Sequence, residues 1–129
     1  MVNLRKDRLV IAKKTFQSRL IVGTGKYDSM SQCAKAIELS GADIVTVAVR
    51  RVNITDKKKP LLMDFIDPKK ITYLPNTAGC FNSKEALRTL RLAREIGGWK
   101  LVKLEVLGDK KNLFPDMIET LKSTEVLSK

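Results

Sequence analysis

The chain contains no histidine. Ser-His-Asp and Cys-His nucleophile systems need a base that titrates near neutrality, and this sequence has none to offer. His-ligated zinc is excluded with them, and two cysteines, Cys33 and Cys80, are too few for a thiolate metal site. Nor do two cysteines make a secreted disulfide framework; they read as reduced thiols of a cytosolic protein. Aromatic residues are 5% of the chain, too sparse for a base-stacking surface. No apolar run reaches the length of a membrane span, and the opening MVNLRKDRLV has no signal-peptide core, so no membrane partner is expected. Acidic residues are the scarcer charge, 14 against 25 Lys and Arg, for a net charge of +11. The basic residues form no single block, and Lys57-Lys58-Lys59 and Lys69-Lys70 stand beside prolines in what reads as solvated loop. Without zinc-finger, RNP or helix-turn-helix spacing, such a surface favours solubility over specific nucleic-acid binding.

What is present is a core. Apolar residues make up 43% of 129, enough for one compact domain spanning 1–129. Short apolar, β-branched runs alternate with helix-period segments. RLIVGTG at 19–25, DIVTVAVR at 43–50, ITYLPNTAG at 71–79 (breaking at Pro75) and KLVKLEVLG at 100–108 read as four strands. Between them, 28–41 reads as a helix capped by Asp28 or Ser29 and closed by Gly41. A second helix starts at Asn82 with Glu85 three residues on and ends at Gly97-Gly98. Residues 114–129 start a third, with Pro115 near its first turn and Met117, Ile118 and Leu121 on one side. Strands apolar on both faces and alternating with helices predict βαβ units in a parallel sheet. The opening LVIAKKTF at 9–16 predicts a small hairpin turned by Lys13-Lys14.

The fourth strand carries the most informative pair. Alternation puts Lys103 and Glu105 on one face, their Cα atoms roughly 6.6 Å apart. If that face is covered, each charge costs several kcal/mol (order of magnitude) unless paired or used. An ammonium taken out of water gives up its proton more readily, and a free amine is what Schiff-base chemistry on a carbonyl needs. Glu105 would shuttle protons in the imine and enamine steps. A structural Lys-Glu ion pair is an equal alternative on spacing alone. Asn76 and Thr77, in NTAGC after the third strand, are candidate pocket residues, since α/β proteins place site loops there. GTGK at 23–26 lacks both a dinucleotide fingerprint and P-loop length and reads as a tight turn. Arg50 and Arg51 follow the second strand; they either meet a phosphate or carboxylate or, as arginines at strand ends most often do, stand solvated. Cys80, with no base partner, reads as a packing residue.

Five stretches of the sequence are long and unusual enough to carry a resemblance. SRLIVGTGKY (18–27), GADIVTVAVRRVNI (41–54), ITYLPNTAGC (71–80), EALRTLRLAREIGGWKLVKLEVLGD (85–109) and LFPD with ETLKSTEVL (113–127) resemble, in one register, the thiazole synthases of thiamine biosynthesis. The resemblance implies a TIM-type (β/α) barrel. It implies formation of the thiazole phosphate moiety from 1-deoxy-D-xylulose 5-phosphate, dehydroglycine and the thiocarboxylate of a ubiquitin-like sulfur-carrier protein. No cofactor and no metal are implied. Lys103 matches the imine-forming lysine and Glu105 the nearby acid–base carboxylate. Arg50, Arg51 and Lys57–Lys59 would then steer an acidic carrier to the barrel mouth.

Two departures shape the expectation. The family carries a glycine in the hairpin where this chain has Lys13. The chain also stops at Lys129, whereas a (β/α) barrel takes about 250 residues. It is therefore expected to be an N-terminal half-barrel of about four parallel strands with helices, preceded by a short β-hairpin. Its open edge would favour a homo-oligomer. The family's second carboxylate and its phosphate-binding loops belong to the other half. The alternative to an enzyme is an inactive half-barrel that only associates, with a partner or with itself; an aldolase-type barrel is a third reading. A cytoplasmic location is expected, with the plastid stroma as the alternative.

Overall fold

The structure is a computed structural model that describes residues 8–129. It opens with an antiparallel hairpin, β1 (Leu9–Ile11) and β2 (Lys14–Phe16). The turn residues are Ala12 and Lys13, with φ of 49° and 65°, not Lys13 and Lys14. Both left-handed positions of a two-residue turn are thus filled without glycine, and Lys14 already pairs with Ile11. The hairpin is tied down at its exit, where Asp43 Oδ2 accepts from the N–H groups of Gln17 (2.5 Å) and Ser18 (3.0 Å).

Three strands form a parallel sheet in the order β3 (Ile21–Gly23), β4 (Ile44–Ala48), β5 (Thr72–Asn76). Helix α1 (Met30–Ser40) links β3 to β4, with Ser29 accepting from Gln32 N–H at its start and Gly41 in the left-handed conformation at its end. The short α2 (Leu62–Phe65) precedes β5, and α3 (Ser83–Gly97) follows it, capped by Asn82 and closed by Gly98. The helices cover one face. Val45, Val47 and Tyr73 meet Cys33 and Ile37 of α1, Leu62 of α2 and Ile66 at its end. Farther along, Cys80, Ala86 of α3 and Val106 form a second buried group with Leu104 beside it.

The expected break at Pro75 does not occur: β5 runs through it, in register with Val47 of β4. Successive residues of a strand bond alternately to the two neighbours. The Pro75 carbonyl accepts from Lys103 N–H (2.8 Å), so its missing N–H falls on the outer side and leaves the β4 ladder intact.

The expected fourth parallel strand is, by contrast, only a single bridge, between Lys103 and Asn76. Pro75 explains one side of the interruption, because it has no N–H to offer the carbonyl two residues before Lys103. Thr77 explains the other, since its side chain, not its backbone, bonds to Glu105. The sheet therefore has three regular strands and does not close.

Helix α4 (Met117–Leu127) is capped by Asp116, with Pro115 just outside it. It docks on α3 by its polar side: Ser123 Oγ donates to Ser83 Oγ (2.9 Å), and the Glu119 carboxylate accepts from Ser83 N–H (2.8 Å). Its apolar side faces outward, with Met117, Ile118 and Leu121 between 69% and 73% exposed.

Candidate active site

The face of the sheet turned away from the helices carries Thr46, Ala48 and Asn76, which lie in register or two residues apart on β4 and β5. Lys103 is the bridge partner of Asn76, and partners in a parallel pair point to the same side. Leu104 and Val106 pack towards α3, which leaves Lys103 and Glu105 on the opposite, helix-free side. The N-terminal end of this face is closed by the hairpin, whose Lys14 Nζ donates to Thr72 Oγ1 (2.7 Å). Its C-terminal end stays open, as a cleft of about 430 Å³ whose walls include Lys26, Met30, Thr46, Arg51 and Asn76.

The expected burial of Lys103 is not found. Its side chain is exposed and Glu105 is half-buried, because nothing among the described residues packs over that face. No ion pair joins the two side chains, so the structural salt-bridge alternative fails as well. What holds Glu105 is its backbone: its N–H donates to Thr77 Oγ1, and the Thr77 hydroxyl donates to its carbonyl, each at 2.7 Å. Thr77 is fully buried and both its hydrogen-bonding functions are used, so it positions the Glu105 segment and does not line the cleft. Asn76 does line it.

Arg50 and Arg51 have different roles. Arg50 Nη1 donates to the Gly79 carbonyl (2.7 Å) and reaches Cys80 Sγ (3.8 Å), tying the loop after β4 to the loop after β5. Arg51 lines the cleft. Lys57–Lys59 lie exposed on a loop gathered by Asn53, whose Nδ2 donates to the carbonyls of Asp56, Lys59 and Pro60. Cys80 is a packing residue, buried against Ala86 and Val106, as its lack of a base partner suggested. Lys26 was not singled out from the sequence; a lysine closing a glycine-rich turn at the C-terminal end of a strand was the available signal.

A three-stranded parallel sheet with helices on one face and a cleft at the strands' C-terminal ends defines the class, a mixed α/β fold consistent with part of a (β/α) barrel. A family profile described as "Thiazole biosynthesis protein ThiG" matches residues 10–129, and the chain belongs to that family. It is 86% identical over 129 residues to a thiazole synthase of Pelagibacter ubique, covering 100% of this chain and 49% of that protein. It is 68% identical over 123 residues to a thiazole synthase of Novosphingobium aromaticivorans, covering 95% and 48%. The chain thus spans about half the length of these relatives. Among solved structures it is similar to the Amycolatopsis orientalis BexX/CysO complex, with a TM-score of 0.70 and 28% identity over 93% of this chain and 49% of that one.

Proposed function

We propose that this chain carries the Schiff-base half of a thiazole synthase site. The Lys103 amine attacks the carbonyl carbon of 1-deoxy-D-xylulose 5-phosphate; loss of water from the carbinolamine leaves the imine. Glu105, two residues along the same face, moves the protons of the following imine–enamine steps. Dehydroglycine and a ubiquitin-like sulfur-carrier thiocarboxylate supply the remaining atoms. The observation that carries this reading is the Lys103–Asn76 register, which sets the amine on the helix-free face near the open cleft of a chain that belongs to this family. The similarity to a structure of two proteins in complex supports a protein partner. The exposed lysines at 57–59 would speed the encounter with an acidic carrier, an effect that salt weakens. Borohydride trapping with the ketose phosphate, in a full-length form carrying this sequence, tests the reading. A mass increase on the peptide containing Lys103 is expected, and its absence overturns the assignment.

One observation favours a second reading, in which the half-length chain alone only associates. Leu113 and Phe114, shortly before α4, are 59% and 68% exposed, as are Met117, Ile118 and Leu121 of the helix at 69% to 73%. Large apolar side chains left exposed in such number favour an interaction or aggregation surface. Sedimentation of the 129-residue chain decides it, since a monomer at every concentration refutes association.

A further inference from the structure

Lys103 and Glu105 are held against the end of β5 by two different sets of bonds. Lys103 follows the rule of a parallel ladder, bonding to the residues on either side of its partner Asn76. Its N–H donates to the Pro75 carbonyl (2.8 Å), and its carbonyl accepts from Thr77 N–H (3.4 Å). The same rule would next send Glu105 N–H to the Thr77 carbonyl. That carbonyl is taken instead by Cys80 N–H (3.0 Å), in a turn that includes Gly79 at φ of 83°. The Thr77 hydroxyl fills the gap, accepting from Glu105 N–H and donating to the Glu105 carbonyl, each at 2.7 Å. The chain after β5 therefore turns away into its loop while Thr77 still grips the neighbouring segment.

The two Glu105 groups so held belong to the peptide planes before and after its Cα. Pinning both fixes the direction in which the Glu105 side chain leaves the backbone. Thr77 is fully buried, so water does not replace a lost hydroxyl. Lys103, by contrast, is placed by backbone bonds that any residue at 77 other than proline would keep.

We propose that Thr77 is a positioning residue whose hydroxyl sets the Glu105 carboxylate for proton transfer, while imine formation at Lys103 proceeds without it. The inference rests on the Schiff-base reading above. In that reading Glu105 takes a proton from the carbon beside the imine. The C–H electron pair becomes the enamine double bond, and the imine π pair moves to nitrogen. Reversal returns a proton that has exchanged with solvent, so in heavy water the ketose phosphate gains deuterium at that carbon. Misplacing a reacting group by about 1 Å costs on the order of a hundredfold, so this step should suffer selectively.

Two assays on a full-length form carrying this sequence separate the steps: borohydride trapping at Lys103, and deuterium uptake by the ketose phosphate. Thr77→Val should keep trapping within threefold of the parent and slow uptake at least tenfold. Thr77→Ser should recover most of the uptake. Asp43→Ala, which loosens the hairpin at the other end of the sheet, should leave the ratio of uptake to trapping within twofold, as a purely structural loss does. If the Val variant does not fold, Thr77→Cys takes its place; a thiol is a weaker donor and acceptor, and its ratio should fall well below that of Thr77→Ser. Equal losses in the two assays, or an unchanged ratio, overturn the positioning role alone. A parent that does not trap at Lys103 overturns the Schiff base, and the role with it.

Discussion

Thr77 and Glu105 exchange two hydrogen bonds, each 2.7 Å, through a single hydroxyl: Glu105 N–H donates to Thr77 Oγ1, and that oxygen's own hydrogen goes to the Glu105 carbonyl. One side chain thus does the work of two ladder bonds on the segment that bears Lys103. Thr77→Val keeps the shape and removes both bonds, stranding two backbone groups at a cost of about 2–3 kcal/mol. Thr77→Ser retains the hydroxyl and should recover at least half of that. Chemical denaturation of the three proteins measures it, and a Val variant as stable as the parent would show that the pair contributes nothing.

Asp43 anchors the hairpin by charge-assisted bonds to Gln17 and Ser18 N–H. Asp43→Ala should release the hairpin from the N-terminal end of the sheet and cost about 2–4 kcal/mol. Limited proteolysis should then cut first around residues 12–18, and unchanged cleavage order would reject this anchoring.

A Cβ built on Gly97 would fall within the Trp99 indole, which stacks on Tyr73 at 4.9 Å between centroids and 33° between planes. Gly97→Ala should therefore displace the ring and destabilise by about 1–3 kcal/mol, exceeding the gain of roughly 1 kcal/mol in helix propensity. The neighbouring Gly98 has open space but φ of 65°, so Gly98→Ala should cost about 1 kcal/mol by strain. Emission of Trp99, the sole tryptophan, separates the two, shifting in Gly97→Ala and staying put in Gly98→Ala.

Two buried acids set an alkaline limit. Burial, reinforced by the Asp67 and Cys33 charges, pushes the Tyr73 phenol well above its ordinary 10.0, and its hydroxyl donates to the Ile66 carbonyl (2.5 Å). Burial likewise raises the Cys33 thiol above 9.0. Both groups hold their protons longer in the fold than in the unfolded chain. Their contribution is fully present below about pH 9 and is lost as pH rises from there through the folded values. The denaturant midpoint should fall above that pH, and Tyr73→Phe should flatten the fall above pH 10. At neutral pH the same variant should lose about 1 kcal/mol with its hydrogen bond. An identical alkaline profile in Tyr73→Phe would remove the phenol from the account.

Much of the fold was legible residue by residue. Ser29 and Gly41 bounded α1, Asn82 and Gly98 bounded α3, and the apolar runs at β3, β4 and β5 announced a parallel sheet. Caps and periodicity act within a turn or two of chain, so a local string suffices to specify them. The pairing of Lys103 with Glu105 on one face was local in the same sense, a matter of alternation. Their surroundings were decided elsewhere. Whether Lys103 is buried depends on what packs across the sheet, and among the described residues nothing covers that face. Whether 100–108 completes a ladder depends on the partner strand, where Pro75 lacks a donor and Thr77 substitutes a side chain. Which side of α4 faces inward was settled by the Ser83–Ser123 contact across forty residues of chain. Arg50 and Arg51, adjacent and chemically identical, part because a turn at Ala48 sends one to Gly79 and the other to the cleft. Exposure, partners and charge environment are sums over residues distant in sequence, and only the tertiary structure brings those residues together.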